Sequence, residues 1–171
     1  MDKKFDVKKL IQISLLIAIE VILTRFCSIQ TPIVRIGFGF LPIAIIAMMY
    51  GPLSAGIAYT IGDLLGVVLF PSGAFFPGFT LTAFLTGIVY GVFLYNKPVT
   101  WYRIIGAVLT VCFVLNLGLD TYWLSIIMGK GYIALLPTRI MKAVLMVPVQ
   151  TIIIGIIWNK VVVRFVKISQ A

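Results

Sequence analysis

Charged side chains are scarce in this sequence of 171 residues, since Asp, Glu, Lys and Arg make up only 11% of it and histidine is absent. A soluble domain carries about 25% charged residues, so this chain has too little polar surface to cover a water-soluble globule. This scarcity excludes a soluble enzyme, a disordered tail and a nucleic-acid-binding domain. A membrane protein remains, because 61% of the residues are hydrophobic.

Groups that would hold a metal or carry out catalysis are also missing. The two cysteines, Cys27 and Cys112, lie in apolar runs without a CxxC motif, so neither a zinc or haem site nor a disulfide framework is indicated. The sequence contains no GxxxxGK[ST] loop and neither an HExxH nor a GxSxG motif. We therefore predict no metal, no cofactor and no enzymatic activity, with any use of ATP left to partner proteins.

Apolar runs predict six membrane helices that form one domain over residues 1–171. A span needs about 20 mostly apolar residues, and the second run is short by that measure. Gly51-Pro52 separates it from the third run, since proline suits the first turn of a helix. The predicted helices cover about residues 9–26, 40–50, 52–70, 79–95, 104–128 and 138–165. The predicted outer loops cover residues 30–39, 71–78 and 129–137.

The basic residues divide into two groups along this pattern. Six spans place both termini on one side of the membrane, and nine of the fourteen Lys and Arg residues fall on that side. The positive-inside rule makes it the cytoplasmic side. The rule disfavours the other five, which lie in or beside the opposite loops. These five are Arg25, Arg35, Lys130, Arg139 and Lys142.

Only three acidic residues accompany the five outer cations. They are Glu20, Asp63 and Asp120. Ionisable groups within spans pair with each other or face a cavity, so internal ion pairs are one interpretation. Pairing would still leave positive charge over, and an anionic ligand that enters from outside would neutralise it.

Polar residues recur on one face of each of the last two predicted helices. At about 100° per residue, one set falls within an arc of about 80° and the other within about 60°. The first set is Arg139, Lys142 and Gln150. The second set is Asn116, Asp120 and Trp123. Both sets are densest toward the outer half, which favours a ligand site there.

Aromatic residues are concentrated near the same outer loops. They are Phe75, Phe76, Phe79, Tyr122, Trp123 and Tyr132. Tyr and Trp also form belts at membrane interfaces, which is the alternative explanation. A flat aromatic ligand would stack well among these rings.

Small residues four positions apart form grooves in which another helix can approach closely. They occur in the third helix (Ala58, Gly62, Gly66), the fourth (Ala83, Gly87, Gly91) and the first (Ser14, Ala18). We predict packing within the bundle for the third and fourth helices. Ser14 and Ala18 lie toward the cytoplasmic half and could instead face a partner protein.

Four segments carry a family resemblance. They are RFCSIQTPIVRIGFGFLP (25–42), GDLLGVVLFPSGAFFPGFTLTAFLTGIVYG (62–91), LDTYWL (119–124) and LPTRIMKAVLMVPVQ (136–150). Together they resemble the folate-specific substrate-capture (S) components of energy-coupling-factor (ECF) vitamin transporters. The first and last segments are the more specific to the folate branch.

This resemblance implies a six-helix bundle in the bacterial plasma membrane, with both termini cytoplasmic. It implies tight binding of folate or a reduced folate near the outer face. It also implies docking onto a transmembrane coupling protein that carries two cytoplasmic ATPases. The docking motif reads Ser14-xxx-Ala18 here, where the family usually has two alanines, and Asp120 stands where asparagine is usual.

The chemistry of folate suggests roles for the polar residues, because folate joins a flat pterin and a benzoyl ring to a glutamate with two carboxylates. Cations would meet its anionic or acceptor groups, with bidentate Arg contacts favoured. These cations are Arg35, Arg139 and Lys142. Asp63 or Asp120 would accept from the pterin amino group and ring N–H.

Neutral side chains would complete this predicted site. Hydrogen bonds would come from Gln30, Asn116 and Gln150. Stacking would come from Phe75, Phe76 and Trp123.

Three other functions stay open at this point. An S component for another anionic vitamin or precursor, such as pantothenate, fits the charge, whereas a cationic vitamin does not. An intramembrane enzyme that acts on lipid would need a nucleophile or a metal site, and the sequence offers none. A stand-alone channel or carrier would take up the vitamin without partner ATPases.

Overall fold

The structure is a computed structural model that describes residues 7–30, 35–71, 75–97, 100–129 and 131–158, with Gln30 and Arg35 described as backbone only. Its helices are α1 (Val7–Arg25), α2 (Phe40–Tyr50), α3 (Pro52–Leu69), α4 (Pro77–Leu94), α5 (Trp101–Leu109), α6 (Asp120–Met128) and α7 (Tyr132–Ile157). A π-helix, the π segment (Thr110–Leu119), joins α5 to α6. The strands β1 (Ser28–Gln30) and β2 (Arg35–Gly37) pair antiparallel.

Among the residues that the structure describes, four helical stretches are long and apolar enough to cross a membrane. They are Pro52–Leu69, Pro77–Leu94, Trp101–Met128 and Tyr132–Ile157. Helix α2 is apolar but has only 11 residues. Helix α1 has 19 residues, and four of them are charged: Lys8, Lys9, Glu20 and Arg25. The chain is therefore built of helices suited to a bilayer, with two of them atypical as spans.

Helix α2 lies inside the bundle. It contacts α1, α3, α4 and α7, and seven of its residues are buried. Its 11 residues extend about 16 Å, roughly half the thickness of the hydrocarbon core. The apolar core therefore surrounds α2, where Ile43 and Ile46 pack with Val108 and Ile154. Beyond the N-terminal end of α2, none of the described helices occupies the centre of the bundle, which leaves room for a cavity.

The small-residue grooves pack within the bundle, as predicted. A Cβ atom on Gly87 of α4 would lie 2.5 Å from the carbonyl of Ala55, so α3 and α4 approach backbone to backbone. A Cβ atom on Gly91 would meet the backbone of Pro52. Gly62 of α3 lies instead against the carboxylate of Glu20, so α3 uses its groove to receive α1.

The turn between α2 and α3 depends on one glycine. Gly51 has φ of 90°, a conformation that side-chain-bearing residues rarely adopt, and Pro52 opens α3 at its first position. The ring of Tyr95, at the end of α4, lies 3.4 Å from where a Gly51 Cβ would stand. The predicted break at Gly51-Pro52 is therefore confirmed.

Three of the sequence predictions differ from the structure. The predicted loop at 30–39 contains the second strand of a hairpin, with Ile29 opposite Ile36. The predicted loop at 129–137 is wrong beyond its start, because α7 begins at Tyr132 and continues through Pro137. A proline inside a membrane helix is tolerated where neighbouring groups satisfy the freed carbonyl.

The predicted fifth helix is the third difference. It begins at Trp101 rather than Ile104, and it widens into the π segment before it resumes as α6. Other ends agree within two residues, and the predicted continuation of the last helix to 165 lies outside the described residues.

Candidate ligand-binding site

A cavity of about 390 Å³ opens at the end of the bundle that carries the C-terminus of α1. This volume lies within the range of pockets for small molecules, about 300–1,000 Å³. Phe40 marks its position, because this first residue of α2 lines the cavity and the rest of α2 does not. The cavity therefore occupies the space beyond the N-terminal end of this short central helix.

Most of the predicted site residues meet in this cavity. Those that line it are Asp63, Phe75, Phe76, Asn116, Asp120, Arg139, Lys142 and Gln150. Trp123 lies behind Phe76 and does not line the cavity. The side chains of Gln30 and Arg35 lie outside the described part of the chain. The three residues of α7 that were predicted to share one helix face all line the cavity.

One wall of the cavity is formed by α7 and the π segment. Arg139 is 8% exposed, and its Nη1 donates to the backbone carbonyl of Asn116 at 3.0 Å. Tyr132, two turns earlier on α7, donates to the carbonyl of Leu117 at 3.2 Å. The wider turns of a π-helix expose carbonyls, and here two successive carbonyls hold α7 in place.

Two polar atoms on this wall are buried and lack a hydrogen-bond partner among the described residues: Nε of Arg139 and Oδ1 of Asp120. Buried polar atoms are normally paired, because an unpaired one costs about 1–3 kcal/mol. A donor and an acceptor are therefore available to a ligand at the meeting point of α6 and α7.

A second wall comes from α1 and α3. Oε1 of Glu20, a side chain only 1% exposed, accepts from the hydroxyl of Thr24 at 2.7 Å. Asp63 on α3 accepts from the hydroxyl of Thr80 on α4 at 2.8 Å. Arg25 also lines this wall and packs against Gly66 of α3. This wall thus carries two carboxylates and one guanidinium, whereas Arg139 and Lys142 line the basic wall on α7.

An aromatic wall, formed by Phe75, Phe76 and Phe79, completes the cavity. The ring of Phe76 is 5.5 Å from that of Trp123 and 6.4 Å from that of Phe79, measured between centroids. Nε1 of Trp123 donates to the hydroxyl of Thr82 at 3.3 Å. Gly78 makes this arrangement possible, because a Cβ there would lie 2.5 Å from the Trp123 ring. Trp123 therefore supports Phe76 and does not itself line the cavity.

The cavity floor contains a polar cluster that joins three helical elements. Oε1 of Gln150 on α7 accepts from the hydroxyl of Tyr90 on α4 at 3.0 Å. The thiol of Cys112 in the π segment lies 3.7 Å from the same oxygen. Gln150 and Cys112 line the cavity, whereas Tyr90 is fully buried beneath it.

Sequence reasoning left several lining residues out of the site. They are Glu20, Thr24, Arg25, Tyr59, Thr82, Thr86 and Cys112. The charges of Glu20 and Arg25 inside a span were the available signal. The threonines carry no such signal, since Thr82 and Thr86 also bond carbonyls of their own helix.

The predicted docking pair lies away from the cavity. Ser14 and Ala18 are exposed on α1, whose buried residues are Ile17, Glu20 and Val21.

The site offers cations, carboxylates, amides and flat rings within one enclosure. Such a set suits a ligand with an anionic part, hydrogen-bonding edges and an aromatic plane. Arg–carboxylate pairs are strong and directional, so the basic wall can fix the position of an anion.

Comparisons with known proteins agree with this chemistry. Residues 8–163 match the family described as "ECF transporter, substrate-specific component". The chain is 47% identical over 159 residues to the folate transporter FolT of Clostridium novyi (strain NT), covering 93% of this chain and 91% of that protein. It is 29% identical over 153 residues to FolT of Leuconostoc mesenteroides, covering 86% and 82%.

A solved structure matches as well. The crystal structure of FolT bound with folic acid superposes with a TM-score of 0.82 at 40% identity, covering 86% of this chain and 89% of that one.

Proposed function

Because the chain belongs to the substrate-specific components of ECF transporters, we propose that it binds folate in the cavity and serves as the folate-capture subunit of an ECF importer. The observation that carries this proposal is the similarity, at 40% identity and a TM-score of 0.82, to a FolT structure that holds folic acid. The mixed cationic, acidic and aromatic lining of the cavity supports the same ligand.

The walls of the cavity suggest how folate is held. Arg139 and Lys142 would bind carboxylate or carbonyl oxygens, and Nε of Arg139 is a donor without another partner among the described residues. Asp63 and Asp120 would accept from the donors of the pterin. Phe76, backed by Trp123, would cover the flat part of the ligand. Asn116 and Gln150 would add hydrogen bonds, and Phe75 further stacking.

The same proposal includes the topology and the partners. We expect six membrane helices with both termini in the cytoplasm of a bacterium, with α1 and α2 as the two additional spans. A transmembrane coupling protein would dock at Ser14 and Ala18, which are exposed. Two ATPases bound to that protein would supply the energy for delivery, because this chain has no nucleotide-binding loop.

Isothermal titration of the purified protein with folic acid tests the proposal. The wild-type protein should bind folic acid, and pantothenate should not displace it. Arg139→Ala should weaken binding at least about tenfold, since a charge-assisted hydrogen bond contributes about 1.5–3 kcal/mol. Lys8→Ala is the matched control, because it removes an exposed positive charge far from the cavity.

Three results would contradict or revise the proposal. A wild-type protein that gives no heat with folic acid would remove folate as the ligand. Unchanged affinity in Arg139→Ala would remove Arg139 from the site and leave folate in place. Uptake by this chain alone in liposomes, without the ATPases, would refute its role as a capture subunit.

A further inference from the structure

The hydroxyl of Tyr90 is a buried polar group that the proposed site does not use directly. Tyr90 is 0% exposed and belongs to the apolar core around α2, yet its hydroxyl reaches the floor of the cavity. There it donates to Oε1 of Gln150 at 3.0 Å. A phenylalanine would fill the same apolar space, so the hydroxyl contributes a hydrogen bond rather than packing volume.

The Tyr90 bond determines which end of the Gln150 amide points at the ligand. The thiol of Cys112 lies 3.7 Å from the same Oε1, so two donors on two different elements converge on one oxygen. Gln150 is 5% exposed and lines the cavity. With its oxygen engaged by the floor, the amide nitrogen is the part of the side chain that serves the cavity.

From this geometry we propose that Tyr90 is a positioning residue that orients Gln150 as a hydrogen-bond donor to the ligand. The inference rests on the proposed function, in which Gln150 contacts folate. The matching group on the ligand is an acceptor, such as a carbonyl oxygen or an unprotonated ring nitrogen. The floor of the cavity therefore selects ligands that present an acceptor at this point.

A matched pair of tyrosine variants tests the positioning role by titration with folic acid. Tyr90→Phe removes only the hydroxyl and should raise the Kd of folic acid about three- to tenfold, the range for one hydrogen bond. Tyr95→Phe removes the hydroxyl of a tyrosine at the end of the same helix, whose ring lies against Gly51. Its affinity should equal that of the wild-type protein.

A double-variant cycle separates positioning from a merely structural role. If Tyr90 acts through Gln150, adding Tyr90→Phe to Gln150→Ala should change the Kd no further. If Tyr90→Phe weakens binding equally in both backgrounds, Tyr90 acts by packing and the inference falls. Wild-type affinity in Tyr90→Phe overturns it as well.

Gln150→Glu provides a second test that does not depend on Tyr90→Phe being stable. The ionised glutamate keeps an oxygen for Tyr90 and replaces the donor by an acceptor, so we expect folic acid to bind at least about tenfold more weakly at a pH where the carboxyl has lost its proton. Unchanged affinity at that pH would show that the amide nitrogen is not the donor. A wild-type protein that fails to bind folic acid is a different result, because it contradicts the proposed function itself.

Discussion

Gly78→Ala provides a steric test of the aromatic wall. In the structure a Cβ at this position would lie 2.5 Å from Cδ2 of Trp123 and 2.7 Å from Cε1 of Phe76. Real Cβ atoms do not approach so closely, so at least one ring has to move. The backbone itself favours the change, since alanine is better than glycine in a helix by up to about 1 kcal/mol.

The expected loss of affinity depends on two contacts that the Trp123 side chain makes. An aromatic pair such as Phe76 and Trp123 is worth about 0.5–1.5 kcal/mol beyond its buried area. The bond from Trp123 to Thr82 adds about 0.5–1.5 kcal/mol. Both contacts lie within the protein, so they enter the affinity only as the free energy needed to restore the ring arrangement in the bound state, at most about 5- to 150-fold. The free protein shares part of this loss, so we expect the Kd of folic acid to rise about tenfold.

Quenching of tryptophan fluorescence by folic acid measures this change, with isothermal titration as an independent readout. Gly118→Ala is the control, because its Cβ would meet nothing closer than a carbonyl oxygen at 3.8 Å. Gel filtration of both variants establishes that the fold is retained. An affinity for Gly78→Ala within twofold of the wild type would refute the role of the Phe76–Trp123 pair in covering the ligand.

Two further predictions concern other parts of the chain. Gly51→Ala should lower the thermal midpoint in detergent, because a side chain at φ of 90° and ψ of 177° costs roughly 1–3 kcal/mol; an unchanged midpoint would show that the turn relaxes without cost. Ser14→Leu with Ala18→Leu should abolish co-purification with the coupling protein and keep the affinity for folic acid, since both residues are exposed on α1 away from the cavity; retained co-purification would place the docking surface elsewhere.

The sequence predicted those features that follow from local pattern. Gly51-Pro52 marked a turn because glycine permits a positive φ, whereas proline fixes φ at a value that suits the first turn of a helix. The stripe of Arg139, Lys142 and Gln150 reached one cavity because α7 is a regular helix. The grooves of α3 and α4 packed as expected because small residues permit close approach.

Features that depend on tertiary contacts could not be predicted from local sequence pattern. The π segment changes the rotation per residue between Thr110 and Leu119, so arithmetic at 100° no longer holds across it. Asn116 and Asp120 still reach the cavity, whereas Trp123 stands behind Phe76. The start of α7 was missed because Pro137 resembles a helix boundary, although the helix begins five residues earlier.

Helix α1 shows why composition alone can fail to identify a membrane segment of this kind. Its charges set it apart from the four apolar stretches, and two of them, Glu20 and Arg25, line the cavity. A charged side chain in a bilayer is tolerated when it faces a polar cavity or a partner. Gly62 and Gly66 of α3 leave the space that Glu20 and Arg25 occupy. Two of the four charges that make α1 a poor span by composition are therefore residues that make it a wall of the cavity.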